Sequence, residues 1–365
     1  MTDQRADVDQ LVELGFYGLA GHTNNPADLL DECRTADELG LGSVFISERF
    51  NLKEAGVLCG AAAATSPHLG IATAATNHNT RHPLVTATLA TTMHRMSGGR
   101  FALGLGRGFD FLFNIMGLPP ITSAQMTDAI DVLRRLWHGE AVAGHDGPSG
   151  SWPYLSQDPS FNEDIPVLLC VLGPKTLELA GAIADGVVLH TFFTDDTLAA
   201  SVAAVRRGAE RAGRDPADVK VWSVLATVGD HLDHDLALRK LTGRLATYLQ
   251  AYGDLLVRVN GWDPTPLEAF RRDEVVASIP GAIDALATTD QLEHITTLMP
   301  DHWLAAAATG SADTCARRIV DQFDSGADGV ICHGVTPIEL APVVGAYRSI
   351  RPAARFDGRV ANPGR

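Results

Sequence analysis

NPADLLDECRTADELGLGSVFIS, Asn25 to Ser47, reads as one helix followed at once by one strand. Asn25 can cap, Pro26 suits the first helical position, and Leu29, Leu30, Cys33, Ala36 and Leu39 form one apolar stripe before Gly40 ends the helix. Ser43 to Ser47 is a short apolar strand. The same alternation recurs on both sides of this stretch, with strands expected at Leu14 to Leu19, Leu69 to Thr76, Phe101 to Gly106, Val167 to Val171, Gly186 to His190, Val219 to Ala226 and Gly329 to His333. Together these make eight βα units, the number that closes a (β/α)8 TIM barrel, an α/β fold of parallel strands.

Two stretches break the rhythm. Gly139 to Asp164 is rich in Gly, Pro, Ser and Asp and reads as a long loop or hairpin inserted before strand five. Asp230 to Thr309 is helical in pattern, far too long for a crossover and interrupted by Asp263-Pro264-Thr265-Pro266 and Pro280-Gly281. It is expected as a helical insertion between strands seven and eight, lying over one mouth of the barrel. The tail from Arg351 lacks periodicity and is expected to wrap the surface or fray. The chain is thus expected to be a single barrel domain over residues 1–365, with insertions at about 139–164 and 230–309.

Composition agrees. With 365 residues, 45% hydrophobic and 20% charged, the chain can bury a sizeable core. Its formal net charge of −15 argues against sequence-independent binding to nucleic acid or to an anionic membrane. No apolar run is long enough to span a bilayer, and the acidic start MTDQRADVDQ lacks the features of a secretory signal, so a cytoplasmic protein is expected. The five cysteines (Cys33, Cys59, Cys170, Cys315, Cys332) are odd in number, show no C-x-x-C spacing and sit in apolar stretches, so neither a disulfide nor a zinc site is expected.

Barrel enzymes place chemistry at the carboxyl ends of their strands, and here those ends are polar. They run into Gly21-His22-Thr23, Glu48-Arg49, Thr76-Asn77-His78, Arg107, Gly173-Pro174-Lys175-Thr176 and His190-Thr191. Gly173 to Thr176 opens a helix, and free amides at a helix start beside a lysine make an anion site suited to a phosphate; an ordinary proline-started helix is the competing reading. Gly104-Leu105-Gly106-Arg107-Gly108 is not a dinucleotide fingerprint, because position 109 is Phe and no helical pattern begins until about Ser123. Its missing side chains would let a flat ligand lie against the strand, or merely fit a barrel interior. A metal-dependent barrel hydrolase would carry paired histidines after strand one, where only His22 stands. Asp230-His231-Leu232-Asp233-His234-Asp235 reads as a loop capping a helix at Asp233 rather than a metal site. No G-x-S-x-G is present.

The runs Thr80-Arg81-His82-Pro83-Leu84-Val85-Thr86-Ala87, Met96-Ser97-Gly98-Gly99-Arg100-Phe101-Ala102-Leu103-Gly104-Leu105-Gly106-Arg107-Gly108, Leu172-Gly173-Pro174-Lys175 and Ala184-Asp185-Gly186, in this order and spacing, resemble the luciferase-like monooxygenase superfamily. The resemblance is to its branch of oxidoreductases that use the deazaflavin coenzyme F420. It implies a (β/α)8 barrel with the cofactor ring in the barrel mouth, a small-molecule substrate and a homodimer. By the same resemblance Leu172, Gly173, Pro174 and Lys175 would hold the cofactor phosphate, with His190 and Thr191 completing that site. Thr73, Ala74 and Ala75 match a bulged strand behind the ring, where relatives often carry a non-prolyl cis peptide. Thr76, Asn77, Gly106 and Arg107 complete the expected cofactor surface, and Glu48 matches an acid near the ring.

This sequence departs from the sugar-phosphate dehydrogenases of that branch at three places. Arg49 stands where they carry a proton-transferring histidine, Phe109 followed by Asp110 where they carry a glutamate, and Phe193 where they carry a substrate-phosphate lysine. The expected activity is therefore hydride transfer between F420 and a small or lipid-like organic substrate other than glucose 6-phosphate. Glu48, His78, Asp110 and His22 are the candidates for proton transfer. Arg49 is expected to clamp an anionic or carbonyl group, or else to pair with Glu48 or another acid at the rim. The alternative is an FMN-dependent monooxygenase on the same barrel, and a metal-dependent hydrolase is the more distant one.

Overall fold

The computed structural model describes residues 9–21, 25–108 and 110–365. Its strands are β1 (Leu11–Tyr17), β2 (Leu41–Ile46), β3 (Gly70–Thr73), β4 (Phe101–Gly106), β5 (Val142–Gly147), β6 (Gly150–Leu155), β7 (Val167–Cys170), β8 (Gly186–Val188), β9 (Lys220–Gly229), β10 (Ala308–Gly310) and β11 (Gly329–His333). The main sheet has the order β10-β9-β11-β1-β2-β3-β4-β7-β8, and β8 also pairs with β9, so eight strands close into a parallel barrel with helices between them. The eight barrel strands are buried almost throughout, as strands covered on both faces must be.

The stretch around Asn25 folds as its pattern dictates, two residues late. Asn25 opens a turn, its Oδ1 accepting from the Ala27 amide at 3.3 Å, and the helix Asp28–Glu38 follows. Leu29, Cys33 and Ala36 face inward.

The expected strand Leu69 to Thr76 regularly pairs only over Gly70–Thr73. Beyond it the Ala74–Ala75 peptide is cis, and pairing resumes at Thr76, whose amide donates to the Gly104 carbonyl at 3.0 Å and whose carbonyl accepts from the Gly106 amide at 2.9 Å. The stretch Gly139 to Asp164 forms the antiparallel hairpin β5–β6. Asp128 fastens it, accepting from the amide and hydroxyl of Ser149 at 2.9 and 2.5 Å and from His145 Nε2 at 3.1 Å. The insertion after β9 is not wholly helical. β9 runs three residues past the expected Ala226, and Thr227, Val228 and Gly229 recruit Ala308, Thr309 and Gly310 as a parallel partner. Asp233 caps a helix as its sequence implied, its Oδ1 accepting from the Leu236 amide at 2.9 Å.

The chain divides into two compact units. The first comprises Met1–Leu41, Leu189–Ala203 and Val221–Gly358; the second comprises Gly42–Val188, Ala204–Lys220 and Arg359–Arg365. In the first, Glu13 is fully buried and meets Arg351 Nε at 2.7 Å and the Tyr347 hydroxyl at 2.9 Å, which ties β1 to the last helix, Pro337–Ile350, and its exit. In the second, the tail does not fray: buried Asn362 donates to the carbonyls of Gly99 and Phe101 at 2.7 and 3.2 Å.

Candidate active site

In the second unit the strand ends are organised by one guanidinium. Arg81 lies on the loop after β3, just before the helix Pro83–Met96 that His82 caps. It forks onto Glu48, with Nη1 at 3.0 Å from Oε2 and Nη2 at 2.5 Å from Oε1, and also reaches Glu54. Thr76 Oγ1 accepts from Arg81 at 2.7 Å and donates to Glu48. Glu54 in turn caps the helix Ala55–Thr65, accepting from the Val57 amide at 2.6 Å. Burial opposes ionisation of Glu54, but the amides of Val57 and Gly56 and the Arg81 guanidinium hold its carboxyl below the usual range. The side chain of Glu48 is only 6% exposed, so this pair joins the ends of β2 and β3 through a nearly dry bidentate contact.

The neighbouring candidates are largely engaged in building this loop. Thr73 Oγ1 donates to the Gly104 carbonyl and accepts from the Gly104 amide, both at 2.8 Å. A Cβ on Gly104 would lie 1.7 Å from the Thr73 carbonyl oxygen, and one on Gly106 would lie 3.0 Å from Ala75 Cβ. The Gly104 gap is therefore filled by Thr73. Asn77 Oδ1 accepts from the amides of Asn79 and Thr80 at 2.9 and 3.0 Å. Arg107 Nε donates to the Ile121 carbonyl at 2.7 Å. Arg49 and Lys53 exchange backbone bonds at 3.0 and 2.9 Å, which closes the loop after β2, and Glu48 is bound by Arg81.

Two polar atoms on the β3 loop stand apart. Among the described residues, His78 Nε2 and Thr80 Oγ1 are buried without a hydrogen-bond partner. Burial lowers the His78 pKa, with Asp128 opposing, so its imidazole is neutral at pH 7. Asp110 is exposed at the start of the short helix Asp110–Ile115. Phe109 and His22 lie outside the described residues.

After β7, Gly173 is the cap of the helix Pro174–Ile183 and supplies no side-chain hydrogen bond to it, while Thr176 Oγ1 turns back to the Gly173 carbonyl at 2.8 Å. Pro174 has no N–H, so the amides of Lys175 and Thr176 are first-turn donors without a helical acceptor. Leu172 is half-buried and Lys175 is exposed beside them.

The first unit is built differently. His190 Nδ1 is 2.8 Å from the Thr191 carbonyl and its Nε2 is 2.6 Å from the Tyr252 hydroxyl. A carbonyl only accepts, so Nδ1 carries the proton and Nε2 accepts from Tyr252. Burial depresses the His190 pKa to about 4 and raises that of Tyr252 well above its ordinary value. Tyr248 packs its edge on His190 with centroids 4.8 Å apart and places its hydroxyl 3.3 Å from His333 Nε2; Tyr17 meets His333 edge-on at 5.3 Å. Arg244, 5.9 Å from the Tyr248 ring, is paired with Asp284 at 2.8 Å.

The expected site residues that are described thus fall into two sets: His190 and Thr191 stand in the first unit, the others in the second. Sequence reasoning missed Arg81, Tyr248, Tyr252 and His333. Their signals were available: an arginine just ahead of a helix cap, two tyrosines at i and i+4 in an amphipathic segment, and a histidine closing the last strand.

The sequence profile of the family described as luciferase-like monooxygenase matches residues 11–329. The chain is 28% identical over 304 residues to the 5,10-methylenetetrahydromethanopterin reductase of Methanolobus tindarius, covering 82% of this chain and 87% of that protein. It is 29% identical over 297 residues to the F420-dependent glucose-6-phosphate dehydrogenase of Microbacterium testaceum, covering 76% and 85%. Its fold superposes on the coenzyme F420-dependent tetrahydromethanopterin reductase of Methanopyrus kandleri with a TM-score of 0.73, at 21% identity and over 92% and 97% of the two chains. With the profile spanning most of its length, the chain belongs to the luciferase-like monooxygenase family.

Proposed function

We propose that the protein is an F420-dependent oxidoreductase that exchanges a hydride with a small or lipid-like organic substrate. The observation that carries the reading is the start of the helix Pro174–Ile183, where a glycine cap leaves first-turn amides open beside an exposed lysine. That donor set fits the phosphate of a deazaflavin coenzyme, and it falls in a chain whose relatives are named for F420 chemistry. Gly173, Pro174 and Lys175 would hold the phosphate, and Ala74, Ala75 and Gly106 would form a small-residue wall for the ring. When bound, F420 supplies a hydride carrier.

The chain's own residues then orient substrate and handle the proton. Glu48, held by Arg81, acts as a positioning group that fixes the β3 loop. His78 is neutral and half-buried, with Nε2 unbonded, so it can take up a proton that the substrate releases. Exposed Asp110 is the second candidate. The apolar rim after β2 and β4, formed by Phe50, Phe111, Leu112 and Ile115, supports a lipid-like substrate.

A homodimer belongs to the same reading. Its support is the apolar groove of the helices Ala55–Thr65 and Pro83–Met96, lined by Leu84, Val85, Leu89, Met93 and Met96, with Val57 exposed nearby. Cytoplasmic residence belongs to the same reading, with five free thiols in its support; among the described residues no helix is long and apolar enough to cross a membrane. Titrating the purified protein with F420, following the coenzyme's fluorescence, tests the function. Saturable binding is expected, and a protein that carries FMN and ignores F420 overturns it.

A further inference from the structure

Resting on that reading for its lipid-like substrate, we propose that the exposed apolar segment after β4 seats the protein on an uncharged lipid surface. All the residues concerned lie in the second unit. From Phe111 to Thr127 the sequence holds no charged residue. The helix Asp110–Ile115 is extended by the Met116 amide, which donates to the Leu112 carbonyl at 3.1 Å. Phe111, Leu112, Ile115 and Met116 therefore share one face at helical spacing. All four are exposed, Phe111 and Ile115 by 72% and 67%. Phe113 turns the other way and is fully buried, its ring 5.9 Å from that of Phe50, which is exposed beside it.

Three observations point to a lipid as the occupant of this face. Its five apolar side chains present roughly 500 Å², short of the about 800 Å² per partner that a stable protein interface buries, so a second copy is poorly served by it. The segment carries no charge of its own, and a chain of net charge −15 is repelled by anionic headgroups, which selects a neutral surface. The face is also continuous with the candidate site. The Pro119 carbonyl accepts from Asn79 Nδ2 at 2.6 Å, and Asn79 follows His78 on the β3 loop. The Ile121 carbonyl accepts from Arg107 Nε at 2.7 Å at the end of β4. Phenylalanine and aliphatic side chains on a short protruding helix enter a bilayer interface by about 5 to 10 Å. A lipid leaving the bilayer there meets the β3 loop without crossing bulk water.

The test is flotation of the full chain with phosphatidylcholine vesicles, compared with phosphatidylglycerol vesicles. The wild-type protein is expected to float with phosphatidylcholine at low and high salt alike, and no better with phosphatidylglycerol. The double variant Phe111→Ser, Ile115→Ser is expected to partition at least about tenfold more weakly, with F420 affinity unchanged in a fluorescence titration. Phe111→Trp, which keeps an interfacial ring, is expected to float as the wild type does and to shift its emission to the blue on the vesicles. Wild-type protein that stays off phosphatidylcholine, flotation lost in high salt, a double variant that floats as well as the wild type, or one that sediments as a smaller oligomer overturns the proposal alone. Wild-type protein that floats but does not bind F420 overturns the functional reading instead.

Discussion

At the ends of β2 and β3 Arg81 is held by full charges between Glu48 and Glu54, whereas at the segment after β8 and the end of β11 His190 and His333 meet the neutral hydroxyls of Tyr252 and Tyr248. The difference lies in what each arrangement can give up. A bidentate ion pair that is 15% and 6% exposed fixes two loops rigidly but leaves a costly buried charge if either partner goes. A phenol–imidazole pair holds its geometry without a net charge, so its rings remain usable as a surface. We read the first region as a framework held by charge and the second as one held without it.

The largest expected effect breaks the framework. Arg81→Met leaves Glu48 buried without its counter-charge and is expected to cost about 3 to 5 kcal/mol, seen as a lowered urea midpoint. Tyr252→Phe removes one neutral hydrogen bond and is expected to cost about 1 to 2 kcal/mol. Equal losses would dissolve the contrast between the regions.

Acid separates them next. His190 has a folded pKa of about 4, below its unfolded value near 6.5, so the unfolded chain binds a proton across that window and the folded chain does not. Its contribution is complete above pH 6.5 and is lost as pH falls towards 4, by up to about 3 kcal/mol. His190→Gln is expected to flatten the stability profile between those limits, checked by urea unfolding at pH 4.5 and 7; an unchanged slope would show that the imidazole is not kept neutral by its surroundings.

A backbone test of the framework follows. Gly104→Ala forces a methyl against the Thr73 carbonyl oxygen and is expected to cost at least about 2 kcal/mol, with F420 affinity falling alongside. Lys175→Ala should leave the urea midpoint unchanged, since the side chain is exposed, and weaken F420 by about 1.5 kcal/mol or more in a fluorescence titration.

What could be read in the sequence was what is local. The helix after Asn25 and the strands buried on both faces follow from spacing within a few residues, and so does the Asp233 cap. The early end of β3 was not legible as pairing, because it depends on Gly104 admitting the Thr73 carbonyl from 31 residues away. Arg81 meets Glu48 across 33 residues, and Tyr252 meets His190 across 62. Residue type marks such groups as capable of bonding, but only the closed strand order brings them together. The strand β10 escaped notice for the same reason, since three residues carry no period and owe their form to the overhang of β9.

A crystal structure with F420 bound tests the central claim most directly. The account predicts the phosphate on the amides of Lys175 and Thr176 with Lys175 beside it, and the deazaflavin ring against Ala74, Ala75 and Gly106. A phosphate bound among Tyr248, Tyr252 and His333, or a ring remote from the end of β3, would contradict it.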